Sequence, residues 1–197
     1  MNQYDGKIKV STLNSDMIRQ INEIQRRDPH KKLYVEIPNT RGISSEMLRQ
    51  LTPNISIRIE GAYDQERVSR LGDVKYDTGE TGEYYTSAVI YTRNEAIRII
   101  SEMGKIEKGL EGQNFDQFEK IVYIYEKLKT SIMYDPKYEH KLSKDIRSLR
   151  GFITKQTVCA GYAVMFKEMM DRQGIECHYV SGVTNKGGRT CLEYCNN

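Results

Sequence analysis

Between Thr157 and Gly182 the chain reads TVCAGYAVMFKEMMDRQGIECHYVSG. Apolar residues recur at helical spacing from Ala160 to Met170, Gly174 interrupts the pattern, and a β-rich stretch follows at once. No other stretch fixes so much, because it commits the chain to a helix of about fifteen residues feeding directly into a strand. The predicted helix runs from Cys159 to about Arg172, and Ala160, Gly161 and Ala163 keep its first turn slim.

Cys159 therefore stands where unpaired backbone N–H groups and the positive end of the helix dipole would stabilise a thiolate. The same N–H groups can hold the oxyanion of an acyl-transfer intermediate. The plainer reading is a small buried hydrophobe at a helix start, which is how many free cysteines behave. Spacing alone leaves both readings open.

Upstream, segments alternate. KIKVSTL is β-rich, NSDMIRQINEIQRR opens with a helix start signal, and KKLYVEI is β-rich again. SSEMLRQL reads as a short helix and NISIRIEGA as a strand with Ile55, Ile57 and Ile59 on one face. Together they predict a small α/β unit with some parallel pairing, over residues 1–105. Tyr63 to Glu83 is polar and glycine-rich and reads as loop or linker, YYTSAVIYT as a strand, and RNEAIRIISEMGKIEKGL as a helix. A second unit, 106–197, holds a long helix in NFDQFEKIVYIYEKLKTSIMYDP, with Phe118, Ile121, Val122, Tyr125 and Leu128 at helical spacing. A connecting region with a short helix leads on to Cys159.

Thirty basic against 27 acidic residues leave a net charge of +3, without the basic run of a nucleic-acid footprint. No stretch reaches the roughly 18 apolar residues that would span a bilayer, and the first ten residues hold no apolar signal core. Neither nucleic acid nor membrane is expected as a partner, and the expected location is cytoplasmic, secretion of a longer precursor aside. All four cysteines, Cys159, Cys177, Cys191 and Cys195, fall near the C-terminal end. Cys191 and Cys195 have no matching pair elsewhere and there are only three histidines, so reduced thiols are expected, with no metal and no cofactor.

The run TVCAGYAVMF, its helix ending in glycine-isoleucine and the strand closing on Val-Ser-Gly resemble the core motif of the transglutaminase-like superfamily. FDQFEKIVYIYEKLKTSIMYD resembles the helix that precedes the family's nucleophile, and the likeness covers roughly residues 114–189. It implies an α+β, papain-like core, its nucleophile helix packed on an antiparallel sheet, preceded here by the small α/β domain. It also implies a cysteine, histidine, aspartate triad in which Cys159 attacks a glutamine carboxamide or peptide carbonyl to form a thioester. Amine or water then resolves it, giving transamidation, deamidation or proteolysis.

The pattern then breaks. The family's histidine is expected on the next strand in a His-Ala-Trp-Asn run and its aspartate on a later strand, whereas residues 190–195 read TCLEYC and both triad partners are missing; Thr157 also replaces a common glycine. With Thr184 to Arg189 as the hairpin loop, Val183 would pair with Thr190, leaving His178 five residues, roughly 17 Å, down the ladder. His178 therefore reads as an ordinary strand residue, and His30 and His140 have weaker claims as bases. Thr-Cys-Leu-Glu-Tyr-Cys can be encoded ACA TGC TTG GAA TAT TGT, and reading one base later gives His-Ala-Trp-Asn-Ile. The expectation is a C-terminally truncated, frameshifted copy that lacks activity, with an exposed sheet edge through which it could dimerise. The alternatives are a catalytically dead module binding a protein or peptide, and an N-terminal unit that carries the activity itself.

Overall fold

The computed structural model describes residues 5–59, 70–71, 74–75, 89–135, 147–183 and 189–195. Strands β1 (Gly6–Lys9), β2 (Leu33–Ile37) and β3 (Ser56–Ile59) run parallel, linked by helices α1 (Ser15–Arg27) and α2 (Ser45–Arg49). Crossovers of this kind are how consecutive parallel strands are joined, so the sequence order of β-rich and helical segments dictates the pairing. Asn14 starts α1 by accepting from the Met17 N–H at 2.9 Å, and Ile18 and Ile21 are buried. In the middle of the sheet Glu36 is almost wholly buried, opposite Lys9 on one neighbour and Arg58 on the other. Burial opposes its charge, but Arg58, Lys7 and Lys9 together hold its carboxyl below the usual range.

Beyond Ile59, the paired dipeptides β4 (Arg70–Leu71) and β5 (Val74–Lys75) form an antiparallel ladder inside the stretch expected to be loop or linker. Strand β6 (Ile90–Thr92) pairs antiparallel with β3 and completes the order β1-β2-β3-β6; the earlier part of the strand expected from Tyr84 lies outside the described residues. Thr92 and Glu95 then form a capping box that opens α3 (Arg93–Lys108), whose Ala96, Ile99, Ile100 and Met103 are buried.

Helix α4 (Gln117–Ser131) leads into β7 (Met133–Tyr134), and α5 (Gly151–Thr154) into β8 (Gln156–Thr157), which pairs parallel with β7. Helix α6 (Cys159–Gln173) follows, then the hairpin of β9 (Cys177–Val183) and β10 (Arg189–Cys195), against which α6 packs. The α+β class, with the cysteine helix against an antiparallel pair, matches the expectation. The hairpin register does not: Arg189 stands opposite Val183 and Thr190 opposite Gly182, one residue away from the predicted pairing. The connecting loop is thus one residue shorter than turn composition alone suggested.

One buried apolar cluster runs from Val10 through Met103 and Leu128 to Cys177, so core contacts cross the expected boundary at residue 105, which α3 itself spans. Polar ties join the same parts. Arg172 on α6 donates to both Glu107 carboxylate oxygens, at 2.7 and 2.6 Å, and to the carbonyls of Thr40 and Ile43 at 2.8 and 3.1 Å. Arg150 bonds Glu95 at 2.8 Å and lies 5.1 Å over the Tyr91 ring.

Gly174 ends α6 at φ +72°, where its N–H and that of Ile175 close the last turn on Asp171 and Met170. A Cβ there would come within 2.8 Å of an Arg41 guanidinium nitrogen. Gly174→Ala is expected to lower stability by about 1–2 kcal/mol, read as a lower urea midpoint at unchanged slope. No change would mean that the backbone leaves the left-handed region at no cost.

Candidate functional site

Cys159 is the first residue of α6, as the sequence predicts, and is partly exposed. Val158 precedes it in extended conformation and its carbonyl accepts from the N–H groups of Gly161 and Tyr162, both at 3.0 Å. No side-chain cap covers the helix start, and Ala160 and Gly161 are buried without bulk. The segment entering the helix is held by the β7–β8 pair: the Lys155 carbonyl accepts from Met133 at 2.8 Å and the Thr157 carbonyl from Asp135 at 3.0 Å. A partly exposed cysteine is thereby fixed at the positive end of a fifteen-residue helix.

The histidines are placed less favourably. His178 sits on β9 opposite Tyr194, its Nε2 3.3 Å from a Glu176 oxygen. With the observed register it stands four ladder positions from the Gly182–Thr190 pair, about 13 Å rather than the roughly 17 Å expected from sequence. His30 lies exposed after α1, and His140 is outside the described residues. Strand β10 contains no histidine.

Three features of this region went unforeseen. The cysteine spacing draws attention to Cys191 and Cys195, yet the register brings Cys195 opposite Cys177, with 2.9 Å between their sulfurs. Two apolar runs with the right turn length could have revealed that pair, since in a hairpin register follows from the loop.

Secondly, Glu168 in the middle of α6 is fully buried; one carboxylate oxygen accepts from the Thr40 N–H at 2.7 Å and from the Thr40 hydroxyl, while Oε2 has no hydrogen-bond partner. Desolvation pushes the Glu168 carboxyl above its ordinary range, with Asp171 adding to the rise and Thr40 and Lys167 opposing it. Burial likewise raises Asp171, despite its bond to Lys167 at 2.8 Å.

Thirdly, a cleft of about 280 Å³ opens beside α6, lined by Tyr125, Leu128 and Lys129 of α4, Tyr134 of β7, and Tyr162 and Phe166 of α6. Tyr134 and Tyr162 stack at 6.3 Å with an interplanar angle of 12°. The Tyr162 hydroxyl donates to the Ile132 carbonyl, and burial, with Tyr125 nearby, pushes that phenol up so that it stays a donor.

Among the described residues, no group of three or more His, Cys, Asp or Glu side chains converges as a metal site would require, and no helix is long and apolar enough to cross a membrane.

The α+β core presents a partly exposed cysteine at a helix start, ahead of an antiparallel hairpin. Residues 105–195 match the model of the transglutaminase-like superfamily, so this part of the chain is a transglutaminase-like domain, of the general class that uses a cysteine for acyl transfer or proteolysis. A search of curated proteins finds no match to the chain.

Proposed function

We propose that the domain carries out transglutaminase-like thiol acyl transfer with Cys159 as nucleophile. The observation that carries this reading is the position of Cys159 as the first residue of α6, partly exposed, inside the family-matching segment. The thiolate adds to the carbonyl of a glutamine carboxamide or a peptide bond, and the tetrahedral oxyanion falls to the first-turn N–H groups. The C–N bond breaks as the nitrogen takes a proton from solvent and leaves as ammonia or amine; water or an amine then attacks the thioester, loses its proton to solvent and releases the acyl group, returning the thiolate.

Full-rate turnover requires a proton shuttle, worth about a hundred- to ten-thousand-fold in rate. With no histidine on β10, the sequence as it stands is expected to form the thiolate and turn over slowly or not at all. The reading includes a change of reading frame near Thr190. Nucleotides spelling His-Ala-Trp-Asn in the shifted frame would support it, and their absence would favour the second reading, a peptide-binding module without catalysis.

The direct experiment is alkylation by iodoacetamide at pH 6.5, followed by peptide mass spectrometry. Cys159 is expected to label at least about tenfold faster than Cys177, Cys191 and Cys195. Equal, slow labelling of all four would sink the nucleophile.

A further inference from the structure

We propose that the aromatic cleft beside Cys159 is the side-chain subsite of the acyl donor, taking an aromatic or long aliphatic side chain of a peptide bound next to the reacting carbonyl. The proposal rests on the reading of Cys159 as nucleophile.

Two independent placements put the cleft at the reacting end of α6. Tyr162 and Phe166 follow Cys159 by three and seven residues, on the same helix face, so the near wall begins one turn, about 5–6 Å, from the thiol-bearing residue. Tyr134, stacked on Tyr162, is in register with Thr157, two residues before Cys159.

Size and chemistry define the occupant. A volume of about 280 Å³ is just below the roughly 300–1,000 Å³ of sites that enclose whole drug-sized ligands, which suits one large side chain. Four of the six lining residues are aromatic. The Tyr162 hydroxyl is already engaged by Ile132, and the Lys129 amine is paired with Glu126 at 3.3 Å and lies 5.7 Å over the Tyr125 ring. With these two groups engaged and the walls mainly aromatic, an apolar side chain gains more from burial there than a polar one.

The same chemistry continues away from the cleft. Phe118, Val122 and Tyr125 line up on α4 at exposures of 62, 43 and 53 %, an apolar track that ends at the cleft wall. A peptide with its anchor side chain in the cleft has further apolar residues received along that track.

Two arms separate this proposal from the nucleophile reading. In the first, N-acetyl-phenylalanine methylamide and N-acetyl-serine methylamide are titrated by NMR into the Cys159→Ala chain. The phenylalanine probe is expected to shift signals of Tyr125, Tyr134 and Tyr162 at concentrations about tenfold below the serine probe. In the second, wild-type protein is alkylated with 2-chloroacetamide or its N-phenethyl derivative; sulfur bonds the methylene carbon, the C–Cl bond breaks and chloride leaves. The phenethyl reagent is expected to label Cys159 about tenfold faster, and Tyr125→Glu or Tyr134→Glu to bring that ratio close to one.

Absence of selective shifts overturns the subsite, and so does a wild-type ratio of one when both reagents label Cys159 ahead of the other cysteines. Selective shifts with no preferential labelling of Cys159 by either reagent uphold the subsite's recognition and sink the nucleophile. A concentration-dependent dimer that Tyr125→Glu abolishes, with no probe binding, assigns the face to a second copy of the chain and overturns the proposal.

Discussion

Arg172→Ala is expected to lower stability by about 3 kcal/mol, the range for breaking one partner out of a mostly buried charge cluster. For a chain of this size that is a fall in Tm of about 6–12 °C. The guanidinium makes four hydrogen bonds, two to Glu107 and two to the carbonyls of Thr40 and Ile43, and its side chain is only 9 % exposed. Removing it leaves a carboxylate and two carbonyls to find water in a confined space. Arg172→Lys should recover only part of the loss, since one ammonium cannot reproduce the planar fork. Urea denaturation checks both variants, and a loss under about 1 kcal/mol for alanine would mean that the cluster is not formed in solution.

Glu168→Ala should cost a similar amount, about 2–4 kcal/mol, because it opens a cavity inside α6 and orphans the Thr40 donors. Glu168→Gln keeps an acceptor for Thr40 and removes the titration. The sign follows from the raised carboxyl: the folded state holds the proton more tightly than the unfolded one. The stability this provides is complete below the unfolded carboxyl range, near pH 4, and is lost as pH rises through the raised folded value. Wild type should therefore lose ground against Glu168→Gln between pH 5 and pH 8. Asp171, also raised and facing Lys167 and His178, adds a dependence of the same sign that both proteins share. Parallel urea midpoints across that interval would contradict a raised Glu168 carboxyl.

Much of this was legible in the sequence, for identifiable reasons. The parallel β1-β2-β3 order follows from apolar residues alternating at period two between helical segments, and Cys159 from a helix whose first turn is slim. The stripe on α4 was visible as periodicity, but not which side of it would be covered. Ile124 and Leu128 point into the core while Phe118, Val122 and Tyr125 stay exposed, which depends on where α6 docks. Glu168 reads as an ordinary polar residue in a helix, since only the approach of Thr40, 128 residues earlier, encloses it. The hairpin register slipped by one because loop composition marks a turn without fixing its length. The cleft was invisible because its walls come from three elements that meet only in the folded chain.

The ties from Thr40 to Glu168 and Arg172 have a consequence for how the molecule is made. They connect residues 128 and 132 positions apart. At about 5–20 residues per second, a ribosome needs roughly 6–26 s to supply the second partner after the first. Through that interval the loop after β2 waits without the helix that satisfies its backbone, and the sheet waits without part of its cover. Closing contacts of such long sequence separation is slow on entropic grounds, so docking of the cysteine helix, with the hairpin that follows it, is expected late in folding. The nascent chain is then most vulnerable to aggregation and proteolysis just before the residue proposed for chemistry is in place.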